Sequence, residues 1–145
     1  MKEKPEDWIG YWINKIDRAM KNVHDKRFQE YDLTTSQKSI LYQLWNKDGL
    51  TQKEIQENLC LKAASVSGLV EMLLKKEFIY REQDDEDARF KRLYLTEKGR
   101  QMKEISITIL KEIEDEASQG FSDDERRIFI SWMRKLYNNL NAIEK

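Results

Sequence analysis

The chain has 145 residues, 39 % of them apolar, which suits one domain with a real but lean core. Charged residues reach 37 % against one Pro and five Gly, a mix that favours long exposed helices over a β-sandwich, and 10 % aromatics argue against disorder. A net charge of −1 excludes a protein that grips nucleic acid by overall charge, so any DNA contact must come from locally concentrated Lys and Arg.

The first element is a helix expected from about Glu6 to Glu30. Trp8, Ile9, Trp12, Ile13, Ile16, Met20, Val23 and Phe28 recur there at helical spacing, with Lys and Asp on the opposite face. Two tryptophans make a large apolar load that something must cover, either a partner subunit or the helix's own domain. Thr34-x-x-Gln37 matches a capping box and opens a second helix with Ile40, Leu41, Leu44 and Trp45 on its apolar face. Lys47-Asp48-Gly49 ends it. Thr51-x-x-Glu54 reads as another capping box, before a short helix that buries Ile55 and Leu59.

Asn58-Leu59-Cys60-Leu61 is the turn into a longer helix, marked by Ala63, Val66, Leu69, Val70, Leu73 and Leu74 and ending near Lys76. A short helix, a tight turn and a helix with a small, polar open face make a helix-turn-helix pattern. Entry into the major groove needs short side chains near the second helix's start, so that its backbone can approach the bases. Lys62, Ala63, Ala64, Ser65, Ser67 and Gly68 supply them, and Ser36, in the helix opened by Thr34, joins the candidate DNA contacts. Ser65 and Ser67 can donate to phosphates or base edges, and Lys62 can meet a phosphate.

Phe78-Ile79-Tyr80 and Arg92-Leu93-Tyr94-Leu95 read as two strands around an acidic turn, with Arg89, Lys91 and Arg92 toward the tip. Asp84, Asp85 and Glu86 crowd the same tip, where they face phosphates unfavourably unless turned outward. Thr96 is the expected N-cap of a helix reaching about Ala117, with Glu97 complementing its dipole. Ile105 to Leu110 has strand propensity, but the isoleucine spacing and the lack of Gly or Pro between Arg100 and Ser118 decide for helix. Ser118-Gln119-Gly120 breaks it, and Ser122-x-x-Glu125 is a third capping box. Ile128, Phe129, Trp132, Met133, Leu136, Tyr137, Leu140 and Ile143 then mark a terminal helix. Terminal helices this apolar would pair across a two-fold axis, making a dimer with two reading heads.

Asp87-x-Arg89 followed by Leu95-Thr96-x-x-Gly99, together with the order of elements around it, resembles the MarR family of bacterial transcription regulators. The resemblance covers nearly the whole chain. It implies a mainly α fold with a small β-wing, in which residues 33–99 form a winged helix-turn-helix that binds double-stranded DNA. Residues 1–32 and 100–145 would form the dimerisation helices of a homodimer reading a pseudo-palindromic operator, as a repressor. It also implies that Arg89 reaches the minor groove with Lys91 beside it, and that Asp87 steadies Arg89 by a salt bridge. Relatives bind small aromatic effectors in a cleft between the dimer helices and the reading head, which Trp12, Ile16, Tyr31, Tyr42 and Trp45 would line here. Two positions depart from the family pattern. Gly68 stands where a larger, often basic residue is usual, and Glu77 stands where a Gly usually ends the recognition helix.

Cys60 is the one cysteine, which excludes an internal disulfide and a multi-thiolate zinc site; it reads as a small buried apolar residue. The peroxide-sensing branch of the family carries its reactive cysteine in the first helix, where this chain has none. With one histidine (His24), no nucleophile–base set and no Gly-rich phosphate loop, no enzyme activity, metal or cofactor is expected. MKEKPEDW has no apolar run behind its charges, and no stretch approaches the roughly 20 apolar residues of a membrane span, so a soluble, cytoplasmic protein is expected. Two rival readings stay open: a winged-helix protein-interaction module without DNA binding, and a small-molecule binder or enzyme.

Overall fold

Capping chemistry sets most of the helix starts in the computed structural model, which describes residues 2–144. The elements are α1 (Ile9–Phe28), α2 (Thr35–Asn46), β1 (Leu50–Thr51), α3 (Gln52–Leu59), α4 (Ala63–Lys75), β2 (Ile79–Gln83), β3 (Lys91–Leu95), α5 (Glu97–Ala117) and α6 (Asp123–Glu144). The expected helix from Glu6 is divided: Pro5–Asp7 forms a 3-10 turn, and extended Trp8 caps α1. Pro5 favours that first turn, and Asp7 folds back on the backbone N–H of Lys4 at 3.0 Å. Another 3-10 turn, Gln29–Tyr31, ends with Asp32 in the left-handed conformation.

Thr34 and Gln37 form the full reciprocal box expected. At Thr51 only half of the expected box forms: the hydroxyl accepts from the Glu54 N–H at 3.2 Å, while the Glu54 carboxylate lies 3.8 Å from Arg92. Asp25 ties α1 to α2 by accepting both the N–H and the hydroxyl of Thr35, each at 2.7 Å. Those two bonds, the hydroxyl's first, hold the Asp25 carboxyl below its ordinary pKa.

β1, too short to read from the sequence, pairs antiparallel with β3 (Leu50 opposite Leu93), and β3 pairs with β2 (Ile79 opposite Leu95), giving the order β1-β3-β2. This is a winged helix. Its core gathers Phe28 from α1, Ile40, Leu41 and Leu44 from α2, Ile55 from α3, Val66, Val70 and Leu73 from α4, with Phe78 and Leu93 beside them. The i, i+4, i+7 spacing of Val66, Val70 and Leu73 is what leaves the rest of α4 facing outward. The Trp45 indole donates to the Gly99 carbonyl at 2.9 Å, fixing the start of α5 against α2. A Cβ at Gly99 would run into the Phe78 carbonyl oxygen, so this helix can enter so close to the wing base only without a side chain.

The chain divides into two units, one ending at Leu110 and one beginning at Lys111. In the first, α1 leaves Trp12 and Ile16 about half exposed. In the second, Ser122 and Glu125 form the expected capping box, and Gly120 turns the chain at φ 85°. No described side chain of α6 is buried, and Trp132, Tyr137 and Ile143 are each more than 60 % exposed.

Candidate nucleic-acid interface

The turn between α3 and α4 is made by Cys60, in the left-handed conformation at φ 53°. Its N–H closes on the Gln56 and Glu57 carbonyls, and Leu61 returns to Gln56, so the last carbonyls of α3 are satisfied. The side chain is exposed rather than buried, because the left-handed C-cap turns it out of the core. Lys62 caps α4 through its backbone alone, leaving its ammonium in solvent.

Ala63, Ala64, Ser65, Ser67 and Gly68 all lie exposed on the outer face of α4. A Cβ built at Gly68 meets nothing within 4 Å, so packing inside this chain does not require glycine there. Ser36, in the first turn of α2, is also exposed. The helix ends on Glu77 at φ 63°, where the Glu77 N–H returns to the Leu74 carbonyl and the Thr96 hydroxyl donates to the Glu77 carbonyl at 2.7 Å. These bonds hold a glycine-like turn without glycine.

The wing strands run further toward the tip than the sequence pattern indicates, to Gln83 and from Lys91. Beyond Ile79 every residue of β2 is exposed, so no alternation marks it. At the tip, Asp87 clamps Arg89: its carboxylate accepts from the Arg89 backbone N–H at 3.0 Å, from Nε at 3.0 Å and from Nη2 at 2.8 Å. The clamp lowers the Asp87 pKa and raises that of Arg89, the side-chain bond being the first cause in both. Yet the Arg89 side chain stays 85 % exposed. A guanidinium fixed in direction and open to solvent can present donors to a phosphate or a groove edge.

Arg92 has another task. Its Nε bonds Asp84 at 2.8 Å and its Nη1 bonds the Gly49 carbonyl at 2.9 Å, bracing the wing against the start of β1. Asp84 also accepts the Glu86 N–H at 2.9 Å, so one of the crowding acids is turned into the hairpin. These braces escape sequence reasoning because the partners of Arg92 lie 8 and 43 residues away.

The five residues assigned to an effector cleft have different surroundings. Tyr31 lines a cavity of about 370 Å³ with Phe78, Met102, Ile105 and Lys98. Trp12, Ile16 and Tyr42 are exposed, and Trp45 is occupied by Gly99. Among the described residues no three His, Cys, Asp or Glu are arranged to hold a metal, and no helix is long and apolar enough to cross a membrane.

Comparison with known proteins agrees with this architecture. The model of the MarR family matches residues 33–91, from the end of the turn after α1 to the wing. The uncharacterized HTH-type transcriptional regulator YwoH of Bacillus subtilis is 30 % identical over 118 residues, covering 81 % of this chain and 85 % of that protein. This chain belongs to the MarR family of transcriptional regulators. YwaE of Bacillus subtilis, another uncharacterized HTH-type regulator, is 31 % identical over 112 residues, which are 77 % of this chain but 66 % of YwaE. Among solved structures, a Staphylococcus aureus MepR–DNA complex superposes with a TM-score of 0.77 at 29 % identity, covering 94 % of this chain and 99 % of the MepR chain.

Proposed function

We propose that this MarR-family chain acts as a homodimeric repressor that binds a pseudo-palindromic duplex operator. The observation that carries the reading is the Asp87–Arg89 clamp, which presents a fixed, solvent-open guanidinium at the wing tip. Beside it in the reading, the open face of α4 enters the major groove. Lys62 meets a phosphate, Ser65 and Ser67 donate to phosphates or base edges, and Ala64 and Gly68 admit close approach. Ser36 and Lys91 add contacts to the backbone of the duplex. The crystallised DNA complex of MepR supports the choice of partner.

Residues 33–99 form the reading lobe, while 1–32 and 100–145 pair two copies. The half-exposed Trp12 and Ile16 of α1 and the open apolar side chains of α6 support such pairing. A small aromatic effector near Tyr31 would release the operator only if it binds one spacing of the two heads better than another.

Retention on duplex DNA at two salt concentrations, with wild type and Arg89→Ala, tests the reading. Affinity that falls steeply with salt, and less steeply in the variant, is expected. Salt-independent association, or none, would direct the search to protein partners of the same surface.

A further inference from the structure

Phe90 is the odd residue of the wing. It stands between Arg89 and Lys91, outside the buried cluster, and is 49 % exposed. Its backbone is held from both directions: the Phe90 N–H donates to the Asp87 carbonyl at 3.1 Å, and its carbonyl accepts the Asp84 N–H at 2.8 Å. The backbone that carries this half-exposed ring is therefore fixed at the tip. A single exposed aromatic is ordinary on a protein surface. What sets this one apart is the charge around it.

From Asp84 to Arg92 the chain carries four acids (Asp84, Asp85, Glu86, Asp87) and three bases (Arg89, Lys91, Arg92), so 3 − 4 leaves this hairpin end at −1. Arg92 is committed to Asp84, and Arg89 is shared with Asp87. Electrostatics alone gives such a tip little hold on a polyanion. A wing that reaches DNA with this charge needs a contact that does not depend on charge. The exposed ring beside the clamped guanidinium offers one, because apolar side chains can wedge against sugars and between base steps in the minor groove.

Resting on the DNA-binding reading above, we propose that Phe90 is the wing's apolar contact to the duplex. Its ring packs on the sugar faces of the minor groove and enters a flexible pyrimidine–purine step while Arg89 lies along the groove beside it. This assigns the wing a preference for deformable steps at the operator flanks rather than for a base-edge pattern.

The test is operator affinity as a function of salt for wild type, Phe90→Ala, Phe90→Leu and Arg89→Ala, each checked for an unchanged melting temperature. Phe90→Ala should weaken binding about ten-fold with the slope of log affinity against log salt preserved, as the loss of a buried apolar wedge predicts. Phe90→Leu should regain most of it, and Arg89→Ala should flatten the slope by about one. Phe90→Ala binding within two-fold of wild type would overturn the inference and leave the DNA reading standing. Wild-type protein that binds no duplex at low salt would overturn both.

Discussion

Gly68→Ala separates the demands of folding from those of recognition. Gly68 lies inside the 13-residue α4, and a Cβ there meets open space. Alanine restricts the unfolded chain and supplies a better helix former without a clash, so folding should gain about 1 kcal/mol. For a chain of this size that raises the melting temperature by roughly 3–5 °C. On the proposed operator the same methyl would stand in the space through which the helix backbone approaches the bases, and affinity should fall. Thermal unfolding followed by circular dichroism reads the first effect, and fluorescence anisotropy with a labelled operator reads the second. A melting temperature that stays level or drops would refute the assignment of Gly68 to an unobstructed helical site. A higher melting temperature with undiminished affinity would refute the close approach of α4 to DNA at this point.

Gly99→Ala should destabilise by about 2–3 kcal/mol, measured by urea unfolding, because its Cβ meets the rigid Phe78 carbonyl as well as Leu95 at 3.2 Å. Glu77→Gly should stabilise by about 0.5–1 kcal/mol in the same assay, since the left-handed strain at φ 63° outweighs the freedom glycine adds to the unfolded chain. The Asp87 pKa is depressed in the fold, so the clamp's contribution is present above about pH 4 and disappears as pH falls through the folded value. The Arg89 backbone N–H and Nε–H chemical shifts should follow that transition in wild type and lose it in Asp87→Asn.

Local chemistry made much of the fold legible. The boxes at Thr34–Gln37 and Ser122–Glu125 mark two helix starts, and Val66, Val70 and Leu73 mark the buried face of α4. Elements held mainly by distant partners were not legible. Two-residue β1 exists because Leu50 and Thr51 meet β3, more than 40 residues on. The outer half of β2 is exposed along its length, so periodicity could not extend it past Tyr80. Cys60 looked buried beside Leu59 and Leu61, but the conformation of the turn decides its direction. At the site, the residue types of the clamp and of the α4 face were readable. That Arg92 is spent on Asp84 and Gly49 was not, since the sequence gives three cations near the tip equal standing.

The central claim, that the α4 face and the wing together read an operator, is tested most directly by selecting bound duplexes from a random pool. Enrichment of an inverted repeat, with half-sites about one helical turn apart and the enrichment reduced in Arg89→Ala, is the result expected. A wild-type selection that enriches no sequence, or a single asymmetric half-site, would contradict the account of a dimer with two reading heads.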